Sequence, residues 1–312
     1  MSIAWGQLKL GISPINWVNE DVLELGDHYT YEEVLDDFAR LGFSGTENCR
    51  KFPKDPRLLK EALGDRGIQL TSQWKGVVFS DPAIRQAELA AYRRHVEFLH
   101  EMGSEHVVTC ELGGSIIGDA RRPRGVVEVI PPTDEQWNHM VEGLHQAGDI
   151  CREYGMKLVY HYHIGTIVEK PEEIDRLMET TDPDLVHLLF DTGHAYYGGA
   201  DPLMLLTKYA DRIPYIHLKD VRQEVLDRVR AKQMPFQSAI REGVFTVPGD
   251  GAIDFSPILR KLIQNGFAGW MILEAEQDPA IAEPNAYAEK CKRYLDSILQ
   301  PNGGKEEQPC PI

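Results

Sequence analysis

Several things are scarce in this chain of 312 residues, and each scarcity excludes something. Cysteine is the first: Cys49, Cys110, Cys151, Cys291 and Cys310 are an odd number with no CxxC spacing. That excludes a disulfide scaffold or a thiolate zinc ribbon, and fits a reducing, cytoplasmic setting. No run of about 18 apolar residues is present to span a bilayer. Met1 to Leu10 carries Trp5, Gln7 and Lys9 where a signal peptide would be apolar. Basic residues are outnumbered, 33 Lys and Arg against 49 Asp and Glu, for a net charge of −16. The densest basic stretch, Arg121-Arg122-Pro123-Arg124, is short and reads as a solvated loop. Nucleic acid is thereby disfavoured as a partner, because phosphate backbones are held by clustered Lys and Arg. A linker rich in Pro, Gly and Ser is also missing. One domain is therefore expected over residues 1–299, with an excursion at 221–247 and a disordered polar tail at 300–312.

What is present is a rhythm. Short apolar or β-branched runs alternate with amphipathic segments eight times. The expected strands are Leu8–Ser13, Gly45–Cys49, Ile68–Trp74, His106–Glu111, Lys157–His163, Val186–Asp191, Tyr215–Asp220 and Trp270–Glu276. Apolar residues at three- and four-residue steps predict helices over Tyr31–Leu41, Glu135–Tyr154 and Ala286–Leu299. Thr133-Asp134-Glu135-Gln136 has the form of a capping box opening the second of these. Gly42, Gly67, Gly103, Gly155 and Gly266 sit where left-handed helix caps belong. Alternating strands and helices imply a parallel sheet. Eight such units can close into a (β/α)8 TIM barrel, whereas no GxGxxG follows the first strand to favour a doubly wound sheet.

A barrel of this kind carries its active site at the carboxyl ends of its strands. The unusual polar residues gather there: Glu47, Gln73 to Lys75 with Trp74 between, Glu111, His161 and His163, Asp191 and His194, His217 and Lys219, Glu274 and Glu276. Side chains alternate along a strand, so His161 shares a face with His163, His217 with Lys219, and Glu274 with Glu276. Imidazoles and carboxylates converging without a thiolate suit Mn, Co, Mg or Zn. Such an ion would neutralise the oxyanion formed when a proton leaves the carbon beside a ketone.

Phe190-Asp191-Thr192-Gly193-His194, Ile216-His217-Leu218-Lys219-Asp220 and Leu273-Glu274-Ala275-Glu276 resemble the xylose-isomerase-like barrel superfamily. Further segments narrow the likeness: Gly11 to Trp17, Gly45-Thr46-Glu47, Cys110-Glu111, Tyr160 to Thr166, and Gly243 to Gly251. Across residues 9–298 these resemble the inosose dehydratase family. That resemblance implies Asp191, His217 and Glu274 as metal ligands, with Mn or Co as the expected ion. The superfamily takes a fourth ligand, a Glu, from the fifth strand; this chain has His161 there. Either His161 binds directly or Glu169 folds back, and the hardness of a divalent ion favours Glu169. The resemblance further implies loss of water from 2-keto-myo-inositol through an enolate, in inositol catabolism. Acid and base are expected from two of His163, His194, Glu47 and Glu111, and substrate contacts from Trp17, Trp74, His161 and Lys219. An isomerase or epimerase with the same metal and enolate is the alternative, and a non-catalytic sugar-binding barrel is a rival from another class. The excursion after the seventh strand reads as a lid, an oligomer contact or a surface loop.

Overall fold

The computed structural model describes residues 8–118 and 128–299. The basic patch at Arg121 to Arg124, the amino-terminal segment before Leu8 and the tail from Gln300 lie outside the described residues. In chain order the strands are β1 (Lys9–Ile12), β2 (Gly45–Glu47), β3 (Gln69–Ser72), β4 (Trp74–Val77), β5 (His106–Glu111), β6 (Lys157–His161), β7 (Val186–Asp191), β8 (Tyr215–Leu218), β9 (Asp220–Val221), β10 (Phe245–Thr246) and β11 (Trp270–Leu273). The α-helices are α1 (Tyr31–Arg40), α2 (Pro56–Gly64), α3 (Arg85–Glu101), α4 (Asp134–Glu153), α5 (Pro171–Thr180), α6 (Thr192–Gly198), α7 (Pro202–Tyr209), α8 (Gln223–Lys232), α9 (Phe236–Arg241), α10 (Phe255–Gln264) and α11 (Pro284–Leu299). Among the described residues no helix is long and apolar enough to cross a membrane.

The main sheet runs β3-β2-β1-β11-β8-β7-β6-β5-β4, with every pairing parallel. The third expected strand is broken at Gln73 into β3 and β4, so the two ends of the sheet are consecutive pieces of one strand. Across the break, the Ser72 hydroxyl donates to the His106 carbonyl at 3.0 Å and accepts from the Val108 N–H at 3.1 Å. A side chain thus replaces ladder hydrogen bonds and completes the barrel.

Strand alternation sorts the side chains. Val108, Val159, Leu189, Tyr215, Trp270 and Ile272 form the barrel's interior cluster. Their neighbours Val107, Leu158, Leu188, Ile216 and Met271 pack outward under the helices in the main core. The helix signals hold in detail: Thr133 and Gln136 form a capping box at α4, and the five cap glycines have φ between 65° and 81°. Cys49, Cys110, Cys151 and Cys291 are free and buried.

The excursion after β8 has its own small core. Strands β9 and β10 pair antiparallel, and Val225, Leu226, Val229, Phe236, Ala239, Ile240 and Phe245 bury one another above the barrel. This places α8 and α9 over the strand ends rather than away from them.

Candidate metal centre

The inward parity of each strand decides which polar residues meet. Val159 and His161, Leu189 and Asp191, Tyr215 and His217, and Ile272 followed by Glu274 all face the interior. Four atoms converge there. His161 Nε2 lies 3.4 Å from Asp191 Oδ2, His217 Nδ1 lies 3.5 Å from the same oxygen, and Glu274 Oε2 lies 2.8 Å from His217 Nδ1. All four residues are buried, yet His161 Nδ1 and Nε2, Asp191 Oδ2 and His217 Nδ1 make no hydrogen bond of acceptable geometry. Buried polar atoms are normally satisfied, so a converging set of orphans marks a place for a cation. Two imidazoles and two carboxylates fit a divalent transition ion.

The other ring nitrogen of His217 is held. Glu47 Oε1 accepts from His217 Nε2 at 3.0 Å and from the Tyr215 hydroxyl at 3.0 Å, with the Thr71 hydroxyl 2.7 Å from that of Tyr215. A carboxylate on the far nitrogen fixes the tautomer and aims Nδ1 at the cluster. Burial works against charge on His217, but Glu274 and Glu47 outweigh it and raise the imidazole well above its ordinary range. Burial alone dominates at His161, which falls to about 4 and is neutral at physiological pH.

Beside this cluster lies the Lys219 ammonium, fully buried. It donates to Glu274 Oε1 at 2.7 Å and Glu276 Oε1 at 2.8 Å, and stands 3.4 Å from Asp191 Oδ2. Burial would lower its pKa, but the three carboxylates raise it above the usual lysine value. The carboxylates answer in kind: burial opposes their ionisation, yet His217 and Lys219 hold Glu274 down to about 2. Asp220, the next residue in sequence, faces the other way. Its carboxylate accepts from the N–H groups of Val221, Gly251 and Ile253, pinning the loop before α10.

A cavity of about 1380 Å³ opens above the cluster, lined among others by Glu47, Trp74, His161, His163, His217, Glu274 and Glu276. His163 donates from or accepts at Nδ1 against the Ile164 carbonyl at 2.7 Å; a carbonyl can only accept, so Nδ1 carries the proton. Its Nε2 is left to the cavity, 3.8 Å from Glu276 Oε1. Burial works to lower this imidazole, and Glu276 and Asp21 together more than offset it, so His163 lies above its ordinary value. The excursion roofs the site: the Phe236 ring meets His163 at 5.3 Å, and Gln237 and Arg241 line the cavity. Arg241 also pairs with Glu24 on the loop after β1.

Other sequence candidates are placed elsewhere. Glu111 faces outward, on the parity of Val107 rather than Val108. Its carboxylate accepts from the Phe79 N–H at 2.8 Å, the Ser80 hydroxyl at 2.7 Å and the Gly113 N–H at 3.0 Å, anchoring the β4–α3 loop. Trp17 is fully buried, its indole N–H donated to Asp37 at 2.9 Å and its ring edge-on to Phe38 at 5.0 Å. His194 is buried behind Lys219, its Nε2 3.0 Å from that ammonium. Lys219 itself is spent on carboxylates and does not line the cavity. Glu169 is not brought to the cluster: it accepts from the Gly165 N–H at 2.9 Å and lines a separate cavity near Tyr197 and Met234. His161 is there instead.

Sequence reasoning passed over Asp21, Asn48, Gln237 and Arg241, all of which line the cavity. Asn48 directly follows Glu47 and donates to Gln73 at 3.0 Å, a signal that was available. Asp21 sits on the loop after β1, and burial raises its carboxyl to about 6. No periodicity points to Gln237 or Arg241, which arrive on the excursion.

The chain is similar to known proteins in sequence and in fold. The family model described as a xylose isomerase-like TIM barrel matches residues 35–298. An inosose dehydratase from Geobacillus kaustophilus is 53% identical over 291 residues, 93% of this chain and 94% of that protein. One from Lacticaseibacillus casei is 45% identical over 293 residues, covering 94% and 97%. Among solved structures, the IOLI protein with a binding zinc atom has a TM-score of 0.68 at 18% identity, covering 95% of this chain and all of that one, a likeness of fold. With such identity across nearly its whole length, on a barrel whose strand ends converge as described, the chain belongs to the inosose dehydratase family of xylose isomerase-like TIM barrels.

Proposed function

We propose that the protein is a metal-dependent hydro-lyase that removes water from an inosose, 2-keto-myo-inositol, as its relatives' name indicates for them. The observation that carries the reading is the set of orphaned donors of His161, Asp191 and His217, with Glu274, at the floor of an open cavity. These four residues would hold the ion, His161 taking the place that sequence reasoning gave to Glu169. A donor set without thiolate is compatible with Mn, Co, Zn or Mg, and the family resemblance puts Mn or Co first. A divalent ion held there supplies Lewis acidity to the ketone oxygen and offsets the negative charge that develops on it.

The chain's own residues handle the protons. Of the four acid–base candidates, His163 and Glu47 line the cavity, Glu47 at the end of β2 and His163 on the loop just after β6. His163 presents Nε2, with Nδ1 fixed by the Ile164 carbonyl and Glu276 nearby to favour its protonated form. We assign the α-proton abstraction and the protonation of the departing β-hydroxyl to this pair. Trp74, 39% exposed at the cavity wall, offers a ring face to the substrate's carbons. Phe236 and Phe245 exclude water from the imidazoles below them.

The test is ultraviolet absorbance after 2-keto-myo-inositol is added to metal-loaded protein. A conjugated enol or dione absorbs, so growth that EDTA abolishes and Mn or Co restores is the expected result. A product of unchanged mass and no absorbance would move the assignment to isomerisation or epimerisation.

A further inference from the structure

The cluster contains a second nest of ligands, and an ammonium fills it. Asp191, His194 and Glu274 offer three ligand atoms within 4.8 Å of one another, and so do His163, His194 and Glu276. Their members other than His163 surround Lys219 Nζ, which lies 2.7 Å from Glu274 Oε1, 2.8 Å from Glu276 Oε2, 3.4 Å from Asp191 Oδ2 and 3.0 Å from His194 Nε2. Three carboxylates and an imidazole around one point are a donor set that suits a divalent cation.

The ammonium is also built in. A Cβ at Gly193 would come within 2.5 Å of Lys219 Cγ, so the aliphatic stem runs through a slot that only glycine leaves open. The Lys219 backbone is pinned on both sides, its carbonyl accepting from the Thr192 hydroxyl at 2.6 Å and its N–H donating to the same oxygen at 3.0 Å. Phe245 closes the nest from above, its ring centroid 5.0 Å from Nζ.

We propose that Lys219 is a fixed internal cation that restricts the centre to a single divalent ion, occupying what would otherwise be a second metal site made by Asp191, His194, Glu274 and Glu276. This rests on the metal reading above. Glu274 divides its two oxygens between the cations, Oε2 beside His217 and Oε1 on Lys219. With one divalent ion and one ammonium, the charge of Asp191, Glu274 and Glu276 is balanced. Removing the ammonium leaves a vacant, negatively charged nest of metal-ligand type.

The experiment counts metal. Full-length protein is stripped with a chelator, dialysed against graded Co2+ and assayed for cobalt per chain, with circular dichroism to confirm the fold. One ion per wild-type chain is expected, and two per chain of Lys219→Ala. Should that variant not fold, Lys219→Ser, whose hydroxyl can hydrogen-bond the carboxylates, is counted in the same way and is expected to take two. Mn2+-loaded wild type should give the electron paramagnetic resonance of isolated ions. Two ions per wild-type chain, a spin-coupled Mn pair, or a folded variant that still takes one would overturn the role of Lys219 and leave the metal reading intact. Wild type that takes none would overturn both.

Discussion

At the scale of single residues, parity separates groups that look alike in sequence. His163 and Glu111 both follow apolar strand runs, but His163 continues the inward face of His161 while Glu111 falls outward. Replacing His163 by Gln should therefore lower turnover by about 10²–10⁴, the usual range for a general acid or base. Cobalt content should not change, since His163 is outside the ligand set; unchanged turnover would remove it from the mechanism. Glu111 makes a different prediction. Burial pushes its carboxyl up to about 7, above the value of an unfolded chain. A carboxyl raised in the folded state binds its proton more tightly there, so its contribution is complete below about pH 4.5 and is lost as pH rises towards 7. Glutamine cannot titrate. The wild-type Tm minus that of Glu111→Gln should thus fall between pH 5 and pH 8; a difference that is flat or rises over that interval would contradict the assignment. The loss of one acceptor oxygen in the variant adds only a constant offset.

At the scale of elements, most of the barrel was legible. Seven of the expected strands coincide with observed ones to within a few residues, because alternating apolar runs and glycine caps are local signals. The eighth, Ile68–Trp74, was expected whole and is broken at Gln73. Nothing local announces that break, since Ser72 acts on β5, a partner distant in sequence. The site was legible to the same degree. Strand-end residues with a partner two positions away, such as His217 and Lys219, were placed on one face correctly. Trp17 was not legible as core, because its burial depends on α1 packing across it. Likewise, the choice between His161 and Glu169 turns on where the Gly165 loop directs a carboxylate. The seam carries its own prediction. Ser72→Ala leaves the His106 carbonyl and the Val108 N–H buried and unpaired, at about 1–3 kcal/mol for such a loss. A lower urea midpoint with an unchanged m-value is expected; no shift would mean that the seam closes without the hydroxyl.

At the scale of the molecule, the charges inside the barrel bind folding to metal. Asp191, Glu274 and Glu276 are buried together, faced by the Lys219 ammonium and by His217 and His163, whose charged forms they favour. Desolvated charges are costly unless paired, so the centre stripped of an ion would be a weak point in the interior. An ion that binds the folded chain alone stabilises it by mass action, about 2.7 kcal/mol at a concentration 100 times its Kd. Spread over a chain of this size, that is a rise in Tm of a few degrees. Stripping with EDTA should lower Tm by that amount, and Mn2+ or Co2+ should restore it in proportion to the logarithm of its concentration. His217→Ala removes a ligand that touches both Asp191 and Glu274, so its Tm should no longer respond to either treatment. A Tm that EDTA leaves unmoved in wild type would mean that the four converging atoms hold no ion, and that Lys219 and the neighbouring imidazoles keep the carboxylates buried.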